Sequence, residues 1–147
     1  MKKLLTILSA VLLIFLAGCS GKEQSKTFTK SENGVTMELT YYYKGDKVTK
    51  QTANNTMEYS KLGVTKEALK ATLEPIMKKY QGVEGLEESV DFQDDKAVEK
   101  LTIDYTKAKI SELKGIPGIE LDAKDGDSVS LKKSEEALSS QGFKEKK

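Results

Sequence analysis

The chain reads as a single α+β domain: an antiparallel β-sheet of about four to five strands with two main helices packed on one face. Three observations predict it. Apolar side chains alternate at period two from Val35 to Tyr43, and again around Leu86–Phe92 and Leu101–Tyr105. They recur at helical spacing from Leu69 to Tyr80, and a last helical run near 131–141 closes the chain. The resulting order, ββ–α–ββ–short α–α, gathers the helices on one side instead of alternating them in βαβ units.

Met1-Lys2-Lys3 is a compact basic start, and the run from Leu4 to Leu16 is apolar except for Thr6 and Ser9. Ala17 and Gly18 supply the small residues a signal peptidase requires, and Cys19, the chain's one cysteine, follows them. This is the secretory pattern, with an apolar run too short to span a bilayer comfortably. Leu16-Ala17-Gly18-Cys19 is similar at every position to the bacterial lipobox, so residues 1–18 read as a lipoprotein signal peptide and Cys19 as the lipidated new N-terminus. The alternatives are an ordinary signal peptide that happens to precede a cysteine, or an N-terminal membrane anchor. Two or three acyl chains hold firmly where one binds marginally, at about 0.8 kcal/mol per buried methylene. The expected location is the cell membrane, lipid-anchored and facing the extracytoplasmic side, with membrane lipid as partner through Cys19.

Residues 19–31 are polar apart from Phe28 and read as the lipidated N-terminus and a flexible tether; the alternative is a first strand opening at Thr27-Phe28-Thr29. The domain proper is expected over 32–147. Asn33-Gly34 is a turn signal, and Val35, Met37, Leu39, Tyr41 and Tyr43 then form one face of the clearest strand. Lys44-Gly45-Asp46 turns the chain into a polar, β-prone partner from Lys47 to about Tyr59. Thr65 is placed to cap a helix whose face is Leu69, Leu73, Ile76, Met77 and Tyr80, with Pro75 kinking or restarting it. Leu86, Val90 and Phe92 mark a third strand, 93–96 a hairpin turn, and Leu101, Ile103 and Tyr105 a fourth. A short helix at 107–113 and a brief strand at 119–121 follow. Ser130 then caps the last helix, and Gly142-Phe143 completes a Schellman ending against Leu138.

Removing residues 1–18 takes away Lys2 and Lys3, so 24 basic residues become 22 against 23 acidic ones and the formal charge moves from +1 to −1. A near-neutral, mixed surface offers no footprint for nucleic acid and no strong basic patch for anionic lipid. The chain has no His, Arg or Trp, so the usual acyl-transfer triad and imidazole metal ligation are excluded. Cys19 is consumed as a thioether, which removes thiol catalysis and disulfides alike. Ser134, Ser139 and Ser140 stand among many lysines, but no spacing defines a Ser–Lys pair. Gly115-x-x-Gly118 contains Pro117 and reads as a turn, not a phosphate loop.

Asp122, Asp125 and Asp127 around Gly126 are weak metal candidates: their spacing misses the EF-hand ladder, and Asp and Gly also make ordinary turns. Glu87, Glu88, Asp91, Asp94 and Asp95 form a second acidic patch, which reads as a solvated hairpin tip. Tyr41 and Tyr43 share a strand face and Tyr42 takes the other. Tyr42 and Tyr59 are therefore the candidate ligand-binding aromatics, with cross-strand packing the competing reading. No catalytic residue and no cofactor is expected.

The lipobox, the strand into Tyr41-Tyr42-Tyr43, the Tyr80-Gln81-Gly82-Val83 helix exit, the Leu101-Thr102-Ile103-Asp104-Tyr105 strand and the closing Leu138–Phe143 segment together resemble the YehR-like small bacterial lipoproteins. That resemblance spans the mature domain and implies a domain of unknown function, with no catalytic residue to carry over. Three functional readings remain. The first is a membrane-anchored, non-catalytic binding or interaction domain with an unknown envelope ligand or protein as partner. The second is a carboxylate-dependent envelope enzyme acting on glycan or peptidoglycan. In the third, signal-peptide residues 11–18 are released as a peptide pheromone.

Overall fold

In the computed structural model, which describes residues 21–147, the described chain forms seven strands and four helices. They are β1 (Gln24–Glu32), β2 (Val35–Lys44), β3 (Lys47–Glu58), α1 (Tyr59–Leu62), α2 (Lys66–Tyr80), β4 (Leu86–Phe92), β5 (Lys96–Asp104), α3 (Ile110–Leu113), β6 (Val129–Ser130), α4 (Leu131–Ser140) and β7 (Lys144–Glu145). The strands make one antiparallel sheet in the order β4-β5-β3-β2-β1-β7, with β6 pairing the start of β3. The α+β class holds, but the sheet is larger than the four to five strands expected.

The largest correction is at the N-terminal side. Gln24–Glu32 is a full strand paired along β2, from Gln24 opposite Tyr43 to Glu32 opposite Val35. The tether expected over 19–31 is therefore sheet from residue 24 onward. Its polarity misleads because β1 buries only Phe28, against Tyr41, with ring centroids 6.1 Å apart in an edge-to-face arrangement. A strand near a sheet edge needs few apolar residues.

Strand parity sorts the sheet into two faces. Phe28, Leu39, Ala53, Leu101 and Glu88 are cross-strand neighbours on the inner face. One residue along, Thr27, Thr40, Thr52, Thr102 and Glu87 line the outer face, where the Thr27 and Thr40 hydroxyls lie 2.8 Å apart. The register between β2 and β3 slips by one at Tyr42/Tyr43, so Thr49 is an extra residue on β3. Because of that bulge, Val48 and Gln51 both face inward, and no single alternation runs through β3.

The helices and the C-terminal segment cover the inner face. Phe28, Tyr41 and Val48 pack with Ile110, Val129, Leu131 and Leu138 in one cluster. Leu86 and Ile103 pack with Tyr80, Leu113, Ile116 and Ile119 in a second, and Tyr105 and Leu121 touch both. α2 runs unbroken through Pro75, with Thr65 Oγ1 accepting from the Ala68 N–H at 3.2 Å. α4 ends as expected: the Phe143 N–H donates to Leu138 O at 3.0 Å and the Gly142 N–H to Ser139 O at 3.1 Å. Residues 119–121 are not a strand; Ile119 and Leu121 instead drop into the core from an irregular segment. Among the described residues no helix is long and apolar enough to cross a membrane.

Gly85 sits at φ +76°, and a Cβ there would lie 2.7 Å from Ala108 N and 2.8 Å from Asp104 O. Gly82, at φ +79°, faces open space. Gly82→Ala is expected to cost about 1–2 kcal/mol from backbone strain alone, and Gly85→Ala about 3 kcal/mol or more because the neighbouring backbone must also shift. Equal urea midpoints for the two variants would show that the approach of Gly85 to the Asp104–Ala108 backbone is not the tight contact described.

Candidate functional site

The two-layer arrangement leaves a groove of about 600 Å³ between the inner sheet face and the 118–143 segment. Met37, Leu39 and Leu101 form its apolar floor, and Ile119, Leu121 and Phe143 its opposite wall. Lys30, Lys133 and Asp122 also line it, and Glu120 stands beside them on the wall.

Set into this apolar lining is a row of polar side chains. Gln51, Asn55 and Glu99 all face the groove, because Gln51 pairs with Ile103 and Asn55 pairs with Glu99 across β3 and β5. The Tyr105 hydroxyl donates to Gln51 Oε1 at 2.7 Å, and Asn55 Nδ2 donates to Glu99 Oε2 at 2.7 Å. Glu88 shares the inner face on the adjacent β4, where Val90 pairs with Glu99 and Glu88 with Leu101. Among the described residues two buried side-chain oxygens have no hydrogen-bond donor, Asn55 Oδ1 and Glu88 Oε1. An acceptor in that state normally finds a partner or costs about 1–3 kcal/mol.

The electrostatics follow from this crowding. Burial, and then the charge of Glu99, hold the Glu88 carboxyl above the usual carboxylate range. Burial together with Glu99 and Glu88 pushes the Tyr80 phenol up to about 12; its hydroxyl donates to Pro117 O at 2.7 Å. Burial also raises the Tyr105 phenol, so both tyrosines act as hydrogen-bond donors throughout the physiological range. The groove therefore has a mixed floor, apolar at Met37, Leu39 and Leu101 and polar at Gln51, Asn55 and Glu99, with Lys30 and Lys133 also in its lining. Such a surface suits a ligand carrying hydroxyl, amide N–H or ammonium donors on a partly apolar body.

The residues singled out in the sequence are distributed differently. Cys19 and the lipobox residues Leu16, Ala17 and Gly18 lie outside the described residues, as does the 11–18 segment. Tyr42 is on the outer face, with Lys50 Nζ 4.0 Å from its ring centroid. Tyr59 is buried at the opposite end of the sheet, its hydroxyl donating to Gln93 O at 3.1 Å. These two aromatics do not meet and do not form a joint surface. Tyr41 is core and Tyr43 packs against the first cluster, so the packing reading holds for that strand face.

The acidic candidates also separate. Asp125 Oδ1 accepts from the Ser111 N–H at 2.8 Å and Asp127 Oδ2 from the Lys124 N–H at 3.0 Å, while Asp122 is almost fully exposed, 3.9 Å from Lys133 Nζ. Each has a separate local role, and the three do not converge. In the second patch Glu87 and Asp91 point outward and Glu88 inward, so Glu88 does not belong to a solvated tip. Ser134 and Ser140 hydroxyls donate to the carbonyls of Ser130 and Ala137 in their own helix.

Asn55, Gln51 and Glu99 line the groove and Glu88 stands beside it on β4; of the four only Glu88 is singled out by the sequence, and there as part of a solvated acidic tip. Two of them were within reach of the parity rule. Extending the Leu101–Tyr105 alternation backward places Glu99 inward, and Leu86, Val90 and Phe92 imply that Glu88 shares their side. Asn55 and Gln51 lie beyond the Thr49 bulge, where the parity of β3 changes.

The chain is similar to known proteins over nearly its whole length. Residues 24–144 match the family described as protein of unknown function (DUF1307). An uncharacterized lipoprotein of Listeria innocua is 48% identical over 147 residues, covering 99% of this chain and 96% of the relative. The uncharacterized lipoprotein YehR of Escherichia coli is 40% identical over 148 residues, covering 99% and 97%. The NMR structure of Escherichia coli YehR superposes with a TM-score of 0.72 at 38% identity, over 86% of this chain and 92% of that one. An NMR structure from Streptococcus pneumoniae shares the fold alone, with a TM-score of 0.60 at 14% identity over 86% and 87%.

Because the folded-state carboxyl of Glu88 is raised above its unfolded value, the stability linked to it is present at acid pH and lost as pH rises through the folded pKa. Glu88→Gln is accordingly expected to raise Tm at pH 7, with the gain closing below pH ~4, where the unfolded carboxylate is also protonated. A gain that is the same at both pH values, measured by circular dichroism melts, would remove ionisation as its cause.

Proposed function

Taking as premise that the chain belongs to the DUF1307 family, we propose that it is a lipid-anchored extracytoplasmic binding domain whose ligand lies in the groove between the inner sheet face and the C-terminal segment. The relatives named above carry the name lipoprotein, and the Leu16–Cys19 box supplies the chemistry for that anchor. The observation carrying the binding reading is the pair of buried acceptors, Asn55 Oδ1 within the groove and Glu88 Oε1 on the strand beside its floor. A fold built only for stability would place apolar atoms at both positions. The ligand class that fits carries hydroxyl or amine donors on a compact, partly apolar frame, as amino sugars and short peptides do.

A second reading has one observation in its favour. Glu88, protonated more readily than an ordinary carboxyl because it is buried and faces the charge of Glu99, stands on the strand beside it. A carboxyl that holds its proton near a second carboxylate is a starting arrangement for general acid–base catalysis. The lipoprotein would then act on an envelope glycan or peptidoglycan, and not only bind it.

Both readings meet in one experiment with the isotope-labelled mature lipoprotein in detergent micelles, titrated with soluble peptidoglycan fragments. The Asn55 side-chain amide and the backbone signals of Leu101, Ile119 and Phe143 are expected to shift together, and Asn55→Leu to abolish the shifts. Perturbations confined to Tyr42 and Lys50 on the outer face would refute the groove as the site. Release of cleaved fragments, stopped by Glu88→Gln or Glu99→Gln, would replace binding with hydrolysis.

A further inference from the structure

The fold begins very close to the proposed point of lipid attachment. Glu23 places a carboxylate oxygen 2.7 Å from Thr49 Oγ1, and Gln24 enters β1 opposite Tyr43. The four-residue step from Cys19 to Glu23 spans at most about 14 Å, at 3.3–3.6 Å per residue. The nine-residue β1 then carries Glu32 about 26 Å beyond Gln24. The sheet therefore has an anchored end and a far end.

Register identifies what lies at each. The Lys44–Lys47 turn and the 104–109 loop sit at the anchored end, since Gln24 pairs with Tyr43 and Lys50 with Asp104. α2 runs toward that same end, from Lys66 beside Asp94 to Tyr80 packed on Leu86 and Ile103. The far end holds the Asn33-Gly34 turn, α1 and the 93–95 turn.

The charges divide along this axis. Lys22, Lys44, Lys47, Lys78, Lys79 and Lys107 are exposed at the anchored end. Among its acids Asp104 pairs with Lys107 at 3.4 Å and Glu112 with Lys109 at 3.1 Å. Glu23, Asp46 and Glu84 are exposed, Asp46 with its carboxyl lowered by the Lys132 N–H and Ser130 Oγ, so Lys22, Lys44, Lys47, Lys78 and Lys79 outnumber these three acids. The far end is acidic, with Glu58, Glu67, Asp91, Asp94 and Asp95 set against Lys61, Lys66 and Lys96.

We propose that the Lys44–Lys47 end of the sheet rests on an anionic phospholipid surface, so that the strands rise from the bilayer and the groove's Asn55–Glu99 floor lies on the aqueous side. Cation-bearing turns held within a Debye length of acidic headgroups are attracted, and the acidic far end is repelled. Measured along β2, where Lys44 pairs with Lys47 and Met37 with Asn55, Asn55 stands seven residues, about 23 Å, from the lipid-facing turn. A ligand therefore reaches the groove from the water side and not out of the bilayer. This orientation rests on acylation of Cys19 and is independent of what occupies the groove.

The test uses the full mature lipoprotein in nanodiscs rich in phosphatidylglycerol, doped with a gadolinium-headgroup lipid; intact mass first verifies acylation of Cys19. Amide signals of 43–47 and 106–109 are expected to lose more than half their intensity, while those of 33–34, 60–63 and 94–95 are retained. The double variant Lys44→Glu, Lys47→Glu, which leaves the tether and core untouched, is expected to reduce the contrast between the ends at least twofold. Equal broadening at both ends, stronger broadening at Asp94, or an unchanged contrast in the charge variant would each overturn the proposal. An unacylated Cys19 would overturn its premise, separately from any outcome at the groove.

Discussion

Tyr105 is the point at which the two halves of the core are held together. Its ring packs against both clusters, its N–H donates to Thr49 O at 2.9 Å inside the β3 bulge, and its hydroxyl donates to Gln51 Oε1 on the far side of that bulge. The bulge lets β3 pair with β6 at one end and β5 along the rest, so a single long strand supports both the α4 side and the α2 side of the inner layer. Together with the β6–β3 and β7–β1 pairings, the Tyr105 contacts set the height of the C-terminal segment above the sheet and so the width of the groove. The position of Asn55 and Glu99 depends on the same contacts, because their shared register is counted from the bulge.

The sheet solves the burial problem on one side only. Its outer face is a field of threonines and charged residues, β-branched enough to favour strands yet too polar to adhere to another sheet. That leaves every apolar requirement to the inner face, which a short helix pair and an irregular segment must cover. α2 meets this sparingly: Leu69, Leu73, Ile76 and Met77 are only half-buried, and Tyr80 is the one buried residue of the helix. The covering layer does not close over the Lys30–Met37–Asn55–Glu99 row, and the groove is that remaining gap.

Much of this was legible because local signals and the fold agree. The cap at Thr65, the period-two run into Tyr43 and the Schellman ending at Gly142-Phe143 are decided within a few residues, and all three stand where the sequence places them. What was not legible depends on distant partners. β6 and β7 are two residues each and exist only because β3 and β1 offer them backbone groups. β1 has one core residue, and β3 changes parity at Thr49, so neither shows the alternation that marks a strand. The groove was hidden for a related reason: Glu88 reads as one more acid in a charged stretch, and only knowledge of which side the covering layer lies on turns it into a buried acceptor.

The contrast between the two faces is what gives the groove its weight. On the outer face polar groups are matched, as in the Thr27–Thr40 hydroxyl contact and the Lys50–Tyr42 stack, and solvent serves the remainder. On the inner face, where apolar residues would cost nothing, Gln51, Asn55, Glu88 and Glu99 are present, and two of their oxygens lack a donor among the described residues. Stability alone does not select that pattern, since an apolar isostere at either position would remove an unpaired buried acceptor. The polar row is also continuous across three neighbouring strands, β3, β5 and β4. A donor-bearing partner gives that row a use, and Gln51, Asn55 and Glu99 line the opening between the sheet and the 118–143 segment where such a partner would enter.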